Sequence, residues 1–363
     1  MTQRYRGKSC TAGKEGLMDF LKMWTSKLLS KRELTTSTAD YAARLKAETL
    51  VYKDVADINV LPGIFHYWSN KYLRPMIEEF GFSSPDQFFA KYLLEGSKAA
   101  GVGRPRFASI GAGNCDTEVR VSKLLRDAGC RDFTIECIDM NPHMLGRGKA
   151  LAEQEGVGDC LAFVEADFND WQPSHRYSGI MANQSLHHVM NLEGLFDAIA
   201  TGLQPNALFV THDMIGRNGH MRWPEALAEV QKFWQELPQE YRYNRQLQRQ
   251  EDAYINWDCS SEGFEGIRAQ DIVPLLLMRF QFRLFIGFAN VIDVFIDRAF
   301  GHNFDENGEW DRKFIDEVHA FDEQAIRAGT ITPTHMMAVL SNEPCAQRCC
   351  SRGISPEMSV HQP

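Results

Sequence analysis

The chain has 363 residues, 44% of them hydrophobic and 24% charged, the balance of a soluble protein long enough for one large domain or two. A formal net charge of −9 argues against general binding to nucleic acid or an anionic membrane, both of which call for a basic face. Nine cysteines show no paired metal-type spacing in the body of the chain and no apolar secretory segment opens it, so free thiols in a reducing cytoplasm are expected. Cys115, Cys130, Cys137 and Cys160 read as small core or loop residues.

Residues 1–15 are polar and patternless and are expected to be disordered. Over 17–29, Leu17, Phe20, Leu21, Trp24 and Leu28 fall at helical spacing, with Lys22, Lys27, Lys31 and Arg32 on the solvated side. Residues 60–94 are dense in aromatics (Phe65, Tyr67, Trp68, Tyr72, Phe80, Phe82, Phe88, Phe89 and Tyr92), punctuated by Pro62, Pro75 and Pro85. This predicts short helices over the following domain, so that 16–100 forms an N-terminal helical cap. Most of these rings belong in a core, and His66, Tyr67 and Lys71 are candidates to line a pocket.

At 107–115 a short apolar run ends in Gly111 and Gly113. Behind it Val121, Leu124, Leu125 and Ala128 share one helical face, Asp116 or Thr117 can cap, and Gly129 closes. The stretch therefore reads strand, glycine turn, helix. Two residues without Cβ let the backbone bend and let a ligand lie against it, and the helix start offers N–H donors. A second strand over 134–138 carries Asp139 at its carboxyl end, where a βαβ unit places an acid able to accept ribose hydroxyls. A dinucleotide fingerprint needs a third glycine at the position of Asp116, whose carboxylate would repel a pyrophosphate. A nucleoside without phosphates is favoured.

Ser-Ile-Gly-Ala-Gly-Asn-Cys-Asp at 109–116 and Ile-Asp-Met-Asn-Pro-His-Met-Leu at 138–145 resemble the glycine and second-strand motifs of class I S-adenosylmethionine-dependent methyltransferases. The resemblance implies an α/β fold: a Rossmann-like seven-stranded sheet, parallel with one antiparallel strand, with S-adenosyl-L-methionine as cofactor. It places Gly111, Ala112 and Gly113 at the amino acid end of that cofactor and Asp139, followed by Met140, at the ribose. After a third strand over 161–165, it assigns the adenine amine to Asp167 and the ring cover to Phe168.

Asn141-Pro142 has the chemistry of a helix start, and Gly156 closes that helix. A fourth strand over 177–182 leads into Asn183-Gln184-Ser185-Leu186-His187-His188, which puts Asn183, His187 and His188 at the crevice where parallel strands end. Asn191 caps the next helix, with Leu192, Leu195, Phe196 and Ile199 buried, and a fifth strand over 207–211 ends in His212 and Asp213. Leu-His-His-Val after strand four and Leu-Gln-Pro-Asn before strand five also look like the family, so the resemblance spans about 104–215, within an expected methyltransferase domain over 101–342.

Residues 216–280 form a long insertion, read as a partly helical lid over an acceptor. The apolar stretch 272–296 is interrupted by Arg279, Arg283 and Asp293, which excludes a membrane span and leaves 282–288 as a sixth strand. Phe314, Ile315, Val318, Phe321 and Ala325 stripe a helix closed by Gly329, and 334–340 makes the last strand, antiparallel beside strand five on the resemblance. The tail 343–363 lacks a periodic apolar face and is expected to be disordered.

A methyl on a sulfonium is already activated, so transfer is an in-line displacement that needs contact and exclusion of water. A hydroxyl acceptor also needs a base: His188 and His187 are first choices, with Asp213 or His212 to orient or replace them and His302 a further candidate. A metal-assisted variant would draw on His187, His188, Asp213 and His302, but no spacing is diagnostic and no metal is expected. The acceptor expected is a partly apolar small molecule, with no nucleic acid and no membrane span, and a homodimer left open. The alternatives are a nicotinamide-dependent oxidoreductase and an inactive methyltransferase-like binding subunit.

Overall fold

In the computed structural model, residues 41, 43–45, 61–261 and 263–361 are described. The expected disordered start and the helix over 17–29 lie outside them. The described chain opens with helix α1 (Gly63–Trp68), a π-helical turn (Ser69–Leu73), α2 (Arg74–Glu78) and α3 (Pro85–Ala100). The Ser84 hydroxyl caps α3 by accepting from the Gln87 N–H, with Pro85 at the first turn.

Strands and helices then alternate: β1 (Arg106–Ile110), α4 (Asp116–Asp127), β2 (Thr134–Asp139), α5 (Pro142–Gln154), β3 (Leu161–Glu165), β4 (Tyr177–Asn183), α6 (Leu192–Gly202) and β5 (Leu203–Met214). Asn141 and Asn191 cap α5 and α6 as their sequences predict. Neither Asp116 nor Thr117 caps α4: the N-cap is Cys115, in left-handed backbone at φ +57° and with no side-chain cap. The glycine bend delivers the chain to the helix one residue earlier than side-chain preference indicates.

The insertion contributes α7 (Pro224–Glu236), a hairpin of β6 (Tyr243–Asn244) and β7 (Arg249–Gln250), and α8 (Ile272–Arg279). Strand β8 (Gln281–Phe288), α9 (Asp293–Ile296), α10 (Glu309–Ala328), β9 (His335–Ser341) and β10 (Cys349–Cys350) complete the chain. The main sheet runs β10-β8-β9-β5-β4-β1-β2-β3. Only β9 is antiparallel in it, lying between β5 and β8, so the expected parallel sheet with one reversed strand is observed, with eight strands rather than seven. No described helix is long and apolar enough to cross a membrane.

Two expectations change. Helix α3 is not a cap over the domain but part of the layer covering the sheet: a Cβ on its Gly96 would lie 3.1 Å from Leu208, and Leu93 presses on Gly179. The tail is ordered as far as residue 361. Strand β10 pairs with β8, Ile354 is 1% exposed, and Arg352 bonds Glu323 and the carbonyl of Gly287. Pairing at a sheet edge and one half-buried cation need no periodic apolar face, which is why the sequence pattern missed them. Arg352→Ala should cost about 1–3 kcal/mol, since it leaves charge-assisted acceptors unpaired. Urea unfolding checks this, and an unchanged midpoint would mean that the Arg352 contacts add nothing to the fold.

Helix α10 carries Asp322, 2% exposed, whose carboxylate accepts the N–H groups of Asn290 and Val291 at 3.1 and 2.7 Å. Burial and the nearby Asp293 charge push it up to about 8. The unfolded side chain titrates near pH 4, so between there and about pH 8 the folded chain holds the extra proton and this group's contribution to stability falls as pH rises. Melting curves from pH 5 to 8 should therefore show the wild type losing its advantage over Asp322→Asn, and parallel curves would contradict the assignment.

Candidate functional site

The glycine turn is built as its residue types demand. Gly111 and Gly113 have φ of +68° and +54°, and a Cβ on Gly111 would fall 2.5 Å from the Cβ of Ser185, so only glycine fits there. The N–H groups of Gly111 and Ala112 donate to the carbonyl of Ile138 at 2.8 and 3.0 Å. Asp139, 7% exposed, fastens the turn from the neighbouring strand: its two oxygens accept the N–H of Gly113 and that of Asn141, each at 2.8 Å. Met140 beside it is half-buried. The first turn of α4 carries Asp116 and Glu118, and burial pushes Glu118 up to about 7 against the opposing hydrogen bond from Ser109. This end of the helix is met by the chain's own acids, an unfavourable seat for a phosphate.

Asp167 is engaged on both oxygens. One accepts the N–H and side-chain amide of Asn169 at 2.9 and 3.1 Å, and the other accepts the Tyr41 hydroxyl. Phe168 is 6% exposed, within the core. Asn183 bridges the crevice, its amide donating to Thr117 of α4 at 3.1 Å and its oxygen facing His212 Nδ1 at 3.2 Å.

At the end of β4 the chain makes a single 3-10 turn, Leu186–His188, which Asp213 holds in place. That carboxylate, fully buried, accepts from the N–H groups of Ser185 and Leu186 at 2.9 and 2.8 Å, of His187 at 3.3 Å and of Met214 at 2.9 Å. It also sits 2.6 Å from His187 Nδ1. The other face of the histidine pair meets Glu265, brought by the insertion. His187 Nε2 lies 3.4 Å from Glu265 Oε1, His188 Nε2 lies 3.5 Å from Oε2, and His220 Nε2 lies 2.6 Å from Oε1. Burial opposes charge on His187, but Asp213 and Glu265 outweigh it and raise its pKa to about 10. Burial likewise opposes charge on Glu265, yet its contacts with His187 and His220 hold it well below the usual carboxylate range. His220 is lowered by burial, against the pull of Glu265.

Asp213, His187 and His188 are thus brought together as the sequence suggests, with Asp213 orienting. His212 instead meets Asn183 and Gln184, each at 3.2 Å, and is flanked by Phe288 at 6.3 Å between ring centres; burial followed by the His335 charge lowers it to about 4. His302 is exposed on another 3-10 turn, Gly301–Asn303, outside the group formed by His187, His188 and Glu265. His66, Tyr67 and Lys71 lie together on α1 and the π-helical turn that follows it. They line a hollow of about 480 Å³ with Gly63, Asn70, Glu306 and Arg312, and Tyr67 and Lys71 are tied to Asp316 of α10. The residues that sequence reasoning missed are Glu265 and His220. Their only signal is glycine at 219, 263 and 266: Gly219, Gly263 and Gly266 all take positive φ, and the N–H of Gly219 donates to Gly266 O at 2.9 Å.

Comparison with known proteins agrees with this geometry. Residues 110–211 match the family described as "Methyltransferase domain". A sterol 24-C-methyltransferase from Gibberella zeae is 29% identical over 79 residues, 22% of this chain and 21% of that one. Malonyl-[acyl-carrier protein] O-methyltransferase 2 from Ilyobacter polytropus is 24% identical over 116 residues, 32% of this chain and 42% of that one. The chain therefore spans well under half the length of these curated relatives. Among solved structures, geranyl diphosphate C-methyltransferase from Streptomyces coelicolor A3(2) aligns at a TM-score of 0.44 and 8% identity, over 83% of this chain and 98% of that one, too loose a likeness to carry chemistry. Residues 110–211 thus match a methyltransferase domain, and the sheet order and glycine turn are those that the resemblance to class I S-adenosylmethionine-dependent methyltransferases implies.

Proposed function

We propose that the protein transfers the methyl group of S-adenosylmethionine to a small-molecule acceptor by in-line displacement. The observation that carries this reading is the glycine bend at 111–113, fastened by Asp139, opening beside a histidine pair at the end of the neighbouring strand. Gly111, Ala112 and Gly113 approach the amino acid end of the cofactor, Asp139 and Met140 the ribose, Asp167 and Phe168 the adenine, and Asn183 the crevice wall. Contact of an adenine amine with Asp167 is shared with, or taken over from, the Tyr41 hydroxyl.

At the acceptor side the His187 ring is fixed through Nδ1 by Asp213, which supports a positioning role for Asp213. His188, with its side chain 15% exposed against 4% for His187, is the better placed of the two to face an acceptor. The insertion closes over both, since Ile267 N–H donates to His187 O at 3.0 Å. The names of the relatives point to different acceptors, a sterol carbon and a carrier-bound malonyl oxygen, so the acceptor class is argued from the site alone. A dinucleotide reading is disfavoured by Asp116 at the third glycine position. Calorimetry with S-adenosylmethionine, S-adenosylhomocysteine and NAD tests the proposal: the two sulfur nucleosides should bind and NAD should not. Binding of NAD alone would overturn it.

A further inference from the structure

We propose that His187 Nε2, His188 Nε2 and one oxygen of Glu265 form a binding site for a divalent transition-metal ion of the zinc or cobalt type, at the acceptor side of the crevice. The ligand atoms lie within 4.8 Å of one another. The two histidine-to-carboxylate separations, 3.4 and 3.5 Å, are long for hydrogen bonds, in contrast to the 2.6 Å contact from His220 to the same carboxylate. The first runs to Oε1 and the second to Oε2, and each is close to the spacing of two ligands on one ion: ligands at about 2.0–2.2 Å from zinc lie roughly 3.3–3.5 Å from each other.

A second, independent feature points the same way. The far nitrogen of His187 rests on the buried carboxylate of Asp213 at 2.6 Å, the carboxylate–histidine arrangement that fixes a metal-binding imidazole with its other nitrogen aimed at the ion. Glu265 is similarly steadied by His220 and by the paired turns at Gly219 and Gly266. Two nitrogens and one carboxylate oxygen suit a borderline ion rather than calcium or magnesium. Among the described residues the group holds three protein ligands, the number that catalytic sites combine with an open coordination position.

This inference deepens the methyltransferase reading and rests on it for its chemistry. An oxygen acceptor, a phenol, enol or alcohol, would occupy the open position, where its O–H is made more acidic. The proton leaves to solvent, the oxygen forms the new bond to the methyl carbon, and the carbon–sulfur bond breaks with its electron pair staying on sulfur, giving neutral S-adenosylhomocysteine.

The test uses the full chain, stripped with chelator and dialysed against Zn²⁺ or Co²⁺, with metal content and the visible absorption of Co²⁺ as readouts. About one ion per chain is expected, with affinity at least tenfold weaker in Glu265→Gln and in His188→Ala, each checked for an unchanged melting curve. Failure of the wild type to hold an ion overturns the proposal. So does binding that survives Glu265→Gln, which would place the ion elsewhere, for instance on the thiols of Cys345, Cys349 and Cys350. Calorimetry with S-adenosylmethionine on the same stripped protein separates the two readings: an intact cofactor site without a metal removes only this inference.

Discussion

Asp139→Ala should weaken binding of S-adenosylmethionine at least tenfold, about 1.4 kcal/mol, and should loosen the protein even without cofactor. The carboxylate has two tasks in the structure. It joins the glycine turn to the start of α5, through the N–H groups of Gly113 and Asn141, and on the proposed reading it also receives the ribose hydroxyls. Alanine abandons both, and each buried N–H left without an acceptor costs about 1–3 kcal/mol. Asp139→Asn separates the tasks, because the amide keeps one accepting oxygen while its NH₂ faces a donor. The asparagine variant should therefore melt between wild type and alanine, with affinity nearer to the alanine variant, since ribose recognition needs acceptor capacity. Calorimetry gives the affinities and urea unfolding the stabilities. If affinity is unchanged while stability falls, Asp139 serves the turn alone and the ribose is held elsewhere.

What could be read from the sequence follows from how local each feature is. The bend at Gly111 and Gly113 and the cap at Asn141 rest on contacts close in sequence and are observed; the antiparallel placement of β9 beside β5, which only the family resemblance implied, is observed too. The histidine pair was legible because it directly follows a strand end. Glu265 was not, since it lies 77 residues beyond His188 and meets it only because the insertion folds back onto the turn at His187, where Ile267 N–H donates to His187 O. The same holds for α3. Its aromatic sequence signals burial but not against which surface, and the deciding contacts are one small residue at Gly96 and another at Gly179, each beneath a leucine. The tail escaped notice because one edge pairing and an arginine clamp leave no period to detect.

Asp213→Asn tests the other half of the site and should have the largest effect on stability. The two oxygens of Asp213 accept four backbone N–H groups and face the His187 ring, with no water-exposed surface. Asparagine is nearly isosteric but offers one accepting oxygen. If its NH₂ faces Ser185 and Leu186, donors meet donors; if it is turned, His187 and Met214 lose their acceptor instead. Breaking a buried pair in this way costs about 3–5 kcal/mol, measurable by denaturant unfolding. Loss of the histidine's orienting partner should also lower turnover by about 10–100-fold. Affinity for S-adenosylmethionine should hold, because the glycine turn and Asp139 are anchored separately on β1 and β2. That split between kcat and cofactor binding distinguishes orientation of His187 from general collapse: a variant that loses both in parallel would mean that Asp213 is only a structural pin for the turn at 185–188.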